Sequence, residues 1–411
     1  MNIYYISNSG CDENNGLSEA TAFKTINRLN KVIKGGDTAL FKCGDTFYGN
    51  IKAPAGLSRE NPTTFSSFGE GKKPVITQYK IMKDTAWEEY SEGIWKTNLY
   101  NTDNYTGNIY DMDANVGFLL VDDKVHGYKK FEIKDLKNQW DFLSDNESGD
   151  LFIKCDINPA EKSKDIRAAC NIRCIFFTDN LCVKGLTFTG TGGHGIAATS
   201  RSAYVGDCDF INIGGSQLYD FFIPNTRYGN GLECWAESQD ILVENCKFTG
   251  IYDVAITMQG NNAKIPWKNI HFKNNQIWNC NQSFEIWSAP VTPDIGFENC
   301  SFENNVCINA GYAWSNDPRP DKGNAAHLLI YNVESDLCDI TVKNNYFYTS
   351  LDSPIFKNGG ADMFPKEYKI KNNTFILKKG QDILHKVVED SGYEEFEKAI
   401  KNNNNVFFIN N

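Results

Sequence analysis

Two glutamates each stand two residues before a tryptophan: Glu233 in Gly231-Leu232-Glu233-Cys234-Trp235 and Glu285 in Ser283-Phe284-Glu285-Ile286-Trp287. In an extended strand, residues two apart share a face, so each segment presents a carboxyl group and an indole on one side. A pair of carboxyl groups is what glycosidic cleavage needs. One protonates the leaving oxygen, and the other attacks the anomeric carbon or activates water. Indole rings offer flat apolar faces for a sugar ring. A single glutamate on a strand is ordinarily a solvated charge. Its repetition in the same relation to tryptophan carries the functional reading.

The segments Gly195-Ile196, Gly231-Leu232, Ala255-Ile256, Ser283-Phe284 and His327-Leu328 align on their apolar residue, taken as inward-facing. Alternation then sends Glu233, Thr257 and Glu285 to one outer column, and Trp235, Gln259 and Trp287 to the next. With Thr257 between them, the two glutamate backbones lie about 9 to 10 Å apart. Their carboxyl groups span about 5 to 10 Å, a range that covers both retaining and inverting geometries. Asp253, at the corner after Tyr252, is a third carboxylate candidate and equally a turn former. His194 in GGHGI matches Asn230 in GNGL, which places both at the mouth of this face. His327 opens the coil after Glu285, and a lone histidine serves as readily in a structural role. Arg227, Tyr228, Gln259 and Tyr331 are candidates to bind hydroxyls. Arg201, Lys264 and Arg319 are the cations expected nearest the face.

These columns require a stack of similar strands, and the sequence contains one. Gly185-Leu186-Thr187-Phe188, Asp207-Cys208-Asp209-Phe210, Asn245-Cys246-Lys247-Phe248, Asn274-Asn275-Gln276-Ile277, Asn299-Cys300-Ser301-Phe302, Asn344-Asn345-Tyr346-Phe347 and Asn372-Asn373-Thr374-Phe375 read as versions of one step. Their apolar anchors are 22, 38, 29, 25, 45 and 28 residues apart. The shorter intervals fit one turn of a three-sided β-coil, and 38 and 45 add a long loop. Asn and Cys at equivalent corners would stack into ladders along the axis. A propeller or sandwich would need antiparallel hairpins, and two-residue Asn-Gly turns are scarce.

The ends read as lids. After a strand at Ile3–Ser7, Phe23, Ile26, Leu29 and Val32 form a helical stripe that stops at Gly35-Gly36. Strands at Thr38–Lys42 and Thr46–Ile51 follow. Near the other end, Ser391-Gly392-Tyr393-Glu394 reads as a capping box. It opens a helix carrying Tyr393, Phe396 and Ile400, before a strand at Val406–Ile409. Residues 76–170 break the pattern and read as an inserted β-domain between a first part, 1–75, and the main coil, 171–411. The insertion holds Trp87, Trp95, Trp140, strands at Val116–Val121 and Leu151–Cys155, and turns at Asp122-Asp123 and Ser148-Gly149-Asp150.

The chain has 411 residues and a formal net charge of −11, with 41% hydrophobic and 13% aromatic content. The charge argues against nucleic acid and anionic membranes as partners, and against a strongly anionic polysaccharide unless a local basic patch overrides it. No apolar run is long enough to span a membrane. The first residues lack the basic and apolar regions of a signal peptide, so the expectation is a cytoplasmic chain, or a secreted one whose leader has been removed. Thirteen cysteines without a CxxC pair are expected to be reduced, structural thiols. No phosphate-binding loop, dinucleotide turn or zinc-ligand spacing is present, and no metal or cofactor is expected.

The opening YYISNSGCDENNGLSEATAFKTI, the following GDTALFKCGDTFYG and the Asn/Cys-stepped coils resemble the right-handed parallel β-helix proteins of the pectate-lyase-like superfamily. The insertion, with Gly93-Ile94-Trp95 and VGFLLVDDKVHGYKK, is similar to the β-domain of some β-helix glycoside hydrolases, β-xylosidases among them. The resemblance implies an all-β fold, a single-stranded right-handed parallel β-helix with helical caps, and carbohydrate chemistry. Lyases, epimerases and phage tailspikes share this fold, so it does not settle the reaction. A lyase or epimerase would need a base for the C5 proton and a cation or Ca²⁺ for the uronate. Asp207-Cys208-Asp209 hints at Ca²⁺ but occupies a corner step, and no Lys-Arg pair stands in the acidic column. A tailspike-like binding protein would lack a convergent acid pair. The expectation is a glycoside hydrolase acting on a neutral or weakly charged oligo- or polysaccharide through Glu233 and Glu285, with Asp253 as alternate. The order of their roles and the oligomeric state stay open.

Overall fold

The computed structural model describes residues 1–82, 86–101, 105–106, 113–219, 221, 223–320, 324–360, 366–386 and 393–409. The backbone winds as a right-handed parallel β-helix. Two ten-stranded sheets and one eight-stranded sheet run parallel along it. Successive coils contribute strands to these sheets, the eight-stranded one beginning only at Ile175–Phe176, and each strand pairs with its counterpart one coil away.

The corners explain the step motif. Asn245, Asn274, Asn304, Asn344 and Asn372 all sit in the left-handed region, with φ between 56° and 58°. Asparagine tolerates that conformation better than other residues with a Cβ. The following residue points inward and builds a ladder. The Cys246 amide donates to Asn275 Oδ1, Asn275 to Asn305, Asn305 to Asn345, Asn345 to Asn373 and Asn373 to Asn404, at 2.8–2.9 Å. These links span 29, 30, 40, 28 and 31 residues, so one coil absorbs a long loop without breaking the ladder. Inside, Phe188, Phe210 and Phe248 stack with ring centroids 5.3 and 4.6 Å apart.

One expected step is misplaced. Asn299-Cys300-Ser301-Phe302 lies within the strand Phe297–Glu303, and the corner is Asn304-Asn305-Val306-Cys307. Cys307 pairs with Ile277 and Phe347 in the column that Phe302 was expected to join. Asn299 belongs to a different polar ladder, donating to Asn269, which in turn donates to Asp240, both at 2.8 Å.

The eight-stranded sheet carries the site. Its strands are β1 (Ile175–Phe176), β2 (Ile196–Ala198), β3 (Leu232–Cys234), β4 (Val254–Asn261), β5 (Gln282–Ala289), β6 (Leu328–Val333), β7 (Ile355–Gly360) and β8 (Leu384–Lys386). Ile196, Leu232, Ile256, Phe284 and Leu328 share one inward column, matching the alignment made from the sequence.

At the start of the chain the helical stripe is one short helix, Ile26–Asn30, with Thr25 as its N-cap, so the expected helix to Gly35 is mostly turn. Near the end, Tyr393–Asn403 is helical, and Tyr393 and Phe396 pack on the core with buried Ile400. Residues 391 and 392 of the expected capping box lie outside the described residues. Between Thr77 and Ile175 the chain forms two antiparallel sheets with their own core, including Trp87, Leu119, Trp140, Phe142 and Ile153. Asp122 and Asp123 make the tight turn joining Leu119–Val121 to Lys124–His126, both at positive φ. All thirteen cysteines are free thiols, and most are buried. Asp207 and Asp209 hold Lys73 at 2.9 and 3.0 Å. Among the described residues no helix is long and apolar enough to cross a membrane.

Candidate active site

Parallel pairing brings Glu233 on β3, Thr257 on β4 and Glu285 on β5 into one column. Gln259 pairs with Trp287 in the next, and Trp235 meets Trp287 edge to face with ring centroids 5.7 Å apart. These side chains line a cleft of about 660 Å³. Its floor is the outer face of this sheet. A hairpin that pairs Ser216–Gln217 with Arg227–Tyr228 forms one wall through Leu218, Phe221 and Ile223.

Although Glu233 and Glu285 stand in the outer column, their carboxyl groups are withdrawn from water. Glu233 is 2% exposed and Glu285 is 7% exposed. Glu233 Oε2 accepts from Asn230 Nδ2 at 2.9 Å and from Gln259 Nε2, which fixes that oxygen. Burial drives the Glu285 pKa well above the ordinary glutamate range, and the nearby charges of Asp253 and Glu233 push it the same way. Arg319 and a hydrogen bond with Thr257 oppose the shift without cancelling it. Asp253 accepts from Arg319 Nη2 at 2.8 Å, and Arg319 also donates to the Tyr252 carbonyl at 3.0 Å. The site therefore combines a carboxyl group whose pKa is raised by burial with two further carboxyl groups held by donors.

His194 lines the same cleft. Its Nδ1 accepts from the Asn230 amide at 3.0 Å, so the proton of the neutral ring resides on Nε2. Burial lowers its pKa, against the pull of Glu233 3.7 Å away. The ring packs on Tyr228, whose hydroxyl donates to Asn171 Oδ1 at 2.8 Å. Tyr331 lines the other end of the cleft and packs on Leu329 and Phe356.

Two sequence expectations need correction. Arg227 was expected to bind hydroxyls, but it is 1% exposed and its guanidinium donates to the carbonyls of Gly215, Gly117, Gly127 and Pro318. It ties the inserted domain to the coil. His327 is fully buried between Ser283 Oγ and the Thr349 carbonyl, with its pKa lowered to about 4 by burial. It sits at the coil corner just before the strand Leu328–Val333, where strand alternation does not apply, and it is not part of the cleft lining.

No family model matches the chain, and no curated protein matches it. Solved structures do. The chain shares its fold with XylC. The XylC structure, a complex with xylose, superposes with a TM-score of 0.56 at 12% identity over 99% of this chain and 82% of that one. A lacto-N-biosidase from Eubacterium ramulus gives 0.47 at 12% identity over 99% of this chain and 68% of that one. The pectate lyase Pel9A gives 0.48 at 12% identity over 95% and 78%. At these identities the likeness concerns the backbone alone.

Several cleft residues escaped the sequence reading. Arg319 was placed only as a nearby cation, and its pairing with Asp253 depends on a loop 66 residues further along. Arg173 and Gln282 lie two residues before the inward Ile175 and Phe284, as His194 and Asn230 do before theirs. That shared offset was the available signal. Gln282 donates from Nε2 to the Asn324 carbonyl at 2.8 Å, and among the described residues its buried Oε1 has no donor.

Proposed function

We propose that the cleft hydrolyses a glycosidic bond in an oligo- or polysaccharide, with Glu285 as the general acid. The observation that carries this reading is a carboxyl group buried beside two others, Asp253 and Glu233, an arrangement that raises its pKa well above that of an exposed glutamate. Proton delivery to a leaving oxygen needs such a group. Glu233, oriented by Asn230 and Gln259, takes the second role, as nucleophile or as base toward water. Asp253, paired with Arg319, maintains the charge that keeps Glu285 protonated, and is the alternate second carboxylate.

Around the reacting bond, Trp235 and Trp287 supply faces for pyranose rings, while His194 Nε2–H and Gln282 Oε1 supply a donor and an acceptor for hydroxyls. The similarly folded XylC was solved with xylose, which agrees with a saccharide as occupant.

The reaction class is tested by incubating the protein with a panel of glycans and analysing the products. Release of reducing ends without ultraviolet absorbance is expected. An unsaturated uronate product would replace hydrolysis by elimination. Glu285→Gln and Glu233→Gln should each lower kcat by about 10²-fold or more, with thermal unfolding near the wild type at acidic pH. Full activity in both variants would remove the site.

A further inference from the structure

The sign of charge inside the cleft singles out one residue. Three arginines line it: Arg173, Arg227 and Arg319. Arg227 donates to four backbone carbonyls, and Arg319 is paired with Asp253. Among the described residues Arg173 has neither kind of engagement. Its guanidinium lies over the Phe176 ring, 4.8 Å from the centroid, and among the described residues no carboxylate forms an ion pair with it.

Its place along the cleft follows from the register. Ile175, Ile196 and Leu232 are aligned partners on β1, β2 and β3, so Arg173, His194 and Asn230 follow one another at successive coils. The rise per coil is about 4.8 Å, comparable to the length of a sugar ring. Arg173 therefore stands at the end of the cleft, two coils from the Asn230 that orients Glu233. A guanidinium stacked on an aromatic face is weakly hydrated and presents its N–H edges in a fork that matches a planar or tetrahedral oxyanion.

Building on the saccharide reading above, we propose that Arg173 forms an anion subsite that receives the carboxylate or sulfate group of a charged sugar adjacent to the cleaved bond. The substrate is then an acidic oligosaccharide with isolated charges. The overall charge of −11 disfavours a dense polyanion at long range, whereas one local cation at the cleft end accommodates a single anionic group.

The test is binding measured by calorimetry at low ionic strength, on the full chain carrying Glu285→Gln. Direct binding separates this proposal from the hydrolysis proposal. Product analysis showing elimination would sink the latter and leave the anion subsite to be decided here. The probes are glucuronate and galacturonate, N-acetylglucosamine 6-sulfate, and the neutral glucose, galactose and N-acetylglucosamine. At least one acidic probe should bind about tenfold more tightly than its neutral counterpart. Preference for the uronates or for the sulfated sugar identifies the source of the anion. Adding Arg173→Gln should bring the ratio close to one with an unchanged melting temperature, and Arg173→Lys should restore part of it. Equal affinity for charged and neutral sugars, a preference that survives Arg173→Gln, or no binding of any acidic probe would overturn the proposal.

Discussion

Glu285 meets the cleft with its carboxyl group withdrawn from water, and its protonation bears on stability and, under the proposed function, on turnover. Its pKa is raised in the folded chain above its value in the unfolded one. Its contribution to stability is therefore complete below the ordinary glutamate pKa of about 4.3 and is lost as pH rises through the folded value. Glu285→Gln should melt near the wild-type temperature in acid and above it at alkaline pH, measured by calorimetry across the range. The same substitution should lower kcat by about 10²- to 10⁴-fold, the usual contribution of a positioned acid. Asp253→Asn removes the nearest negative charge, so the alkaline limb of the kcat/KM profile should move to lower pH. A second carboxylate acting directly at the anomeric carbon would instead lose turnover at every pH. Alternation alone placed Glu233 and Glu285 in one column, because a strand has only two faces. Their burial was not legible, since the hairpin bearing Phe221 and the loop bearing Arg319 cover the column from elsewhere in the chain. The roles of Arg227 and His327 were hidden for the same reason. Their partners, Gly117 and Thr349 among them, are 110 and 22 residues away.

The ladder is the element that ties the coils from Cys246 to Asn404 together, while parallel pairing along the eight-stranded sheet sets the spacing in the cleft. Asn305 donates from its amide and side chain to Asn345 and from its side chain to the Phe272 carbonyl, and it accepts from Asn275. Asn305→Ala keeps the backbone link and strands several buried partners. A loss of about 3 kcal/mol in urea unfolding is expected, since each stranded group costs about 1–3 kcal/mol. Repeated Asn-containing steps made the ladder visible in the sequence. The one error, at Asn299-Cys300, arose because a second stack, Asp240-Asn269-Asn299, also uses asparagine in the left-handed conformation, with φ of 54°, 53° and 51°. Local sequence does not distinguish the two stacks; pairing across coils does.

At the scale of the whole molecule, the coil and the inserted domain meet at a cluster around Tyr252. Arg227 and Arg319 pack on its ring, 4.7 and 4.9 Å from the centroid, and Trp314 packs beside it. The adjoining Lys129 is buried among Asn115, Val116 and Ser144, and burial drives its pKa well below the usual lysine range. Tyr252 precedes Asp253, so this junction also fixes the carboxylate nearest Glu285. Arg227→Met should leave buried carbonyls without donors on both sides of the junction and cost about 3–5 kcal/mol in denaturant unfolding. Hydrogen exchange should speed up at residues 115–118 and 215–217 ahead of the ladder. Coil architecture was legible throughout because repetition marks it; the junction was not, because its contacts join segments with no sequence pattern in common.

The most direct test of the account is a ¹³C NMR titration of selectively labelled glutamate carboxyl groups in the wild-type chain and in Glu285→Gln. One carboxyl resonance should stay protonated well above the ordinary glutamate range, disappear in Glu285→Gln and move to lower pH in Asp253→Asn. A wild-type spectrum in which every glutamate titrates in the ordinary range would contradict a protonated acid at the centre of the cleft.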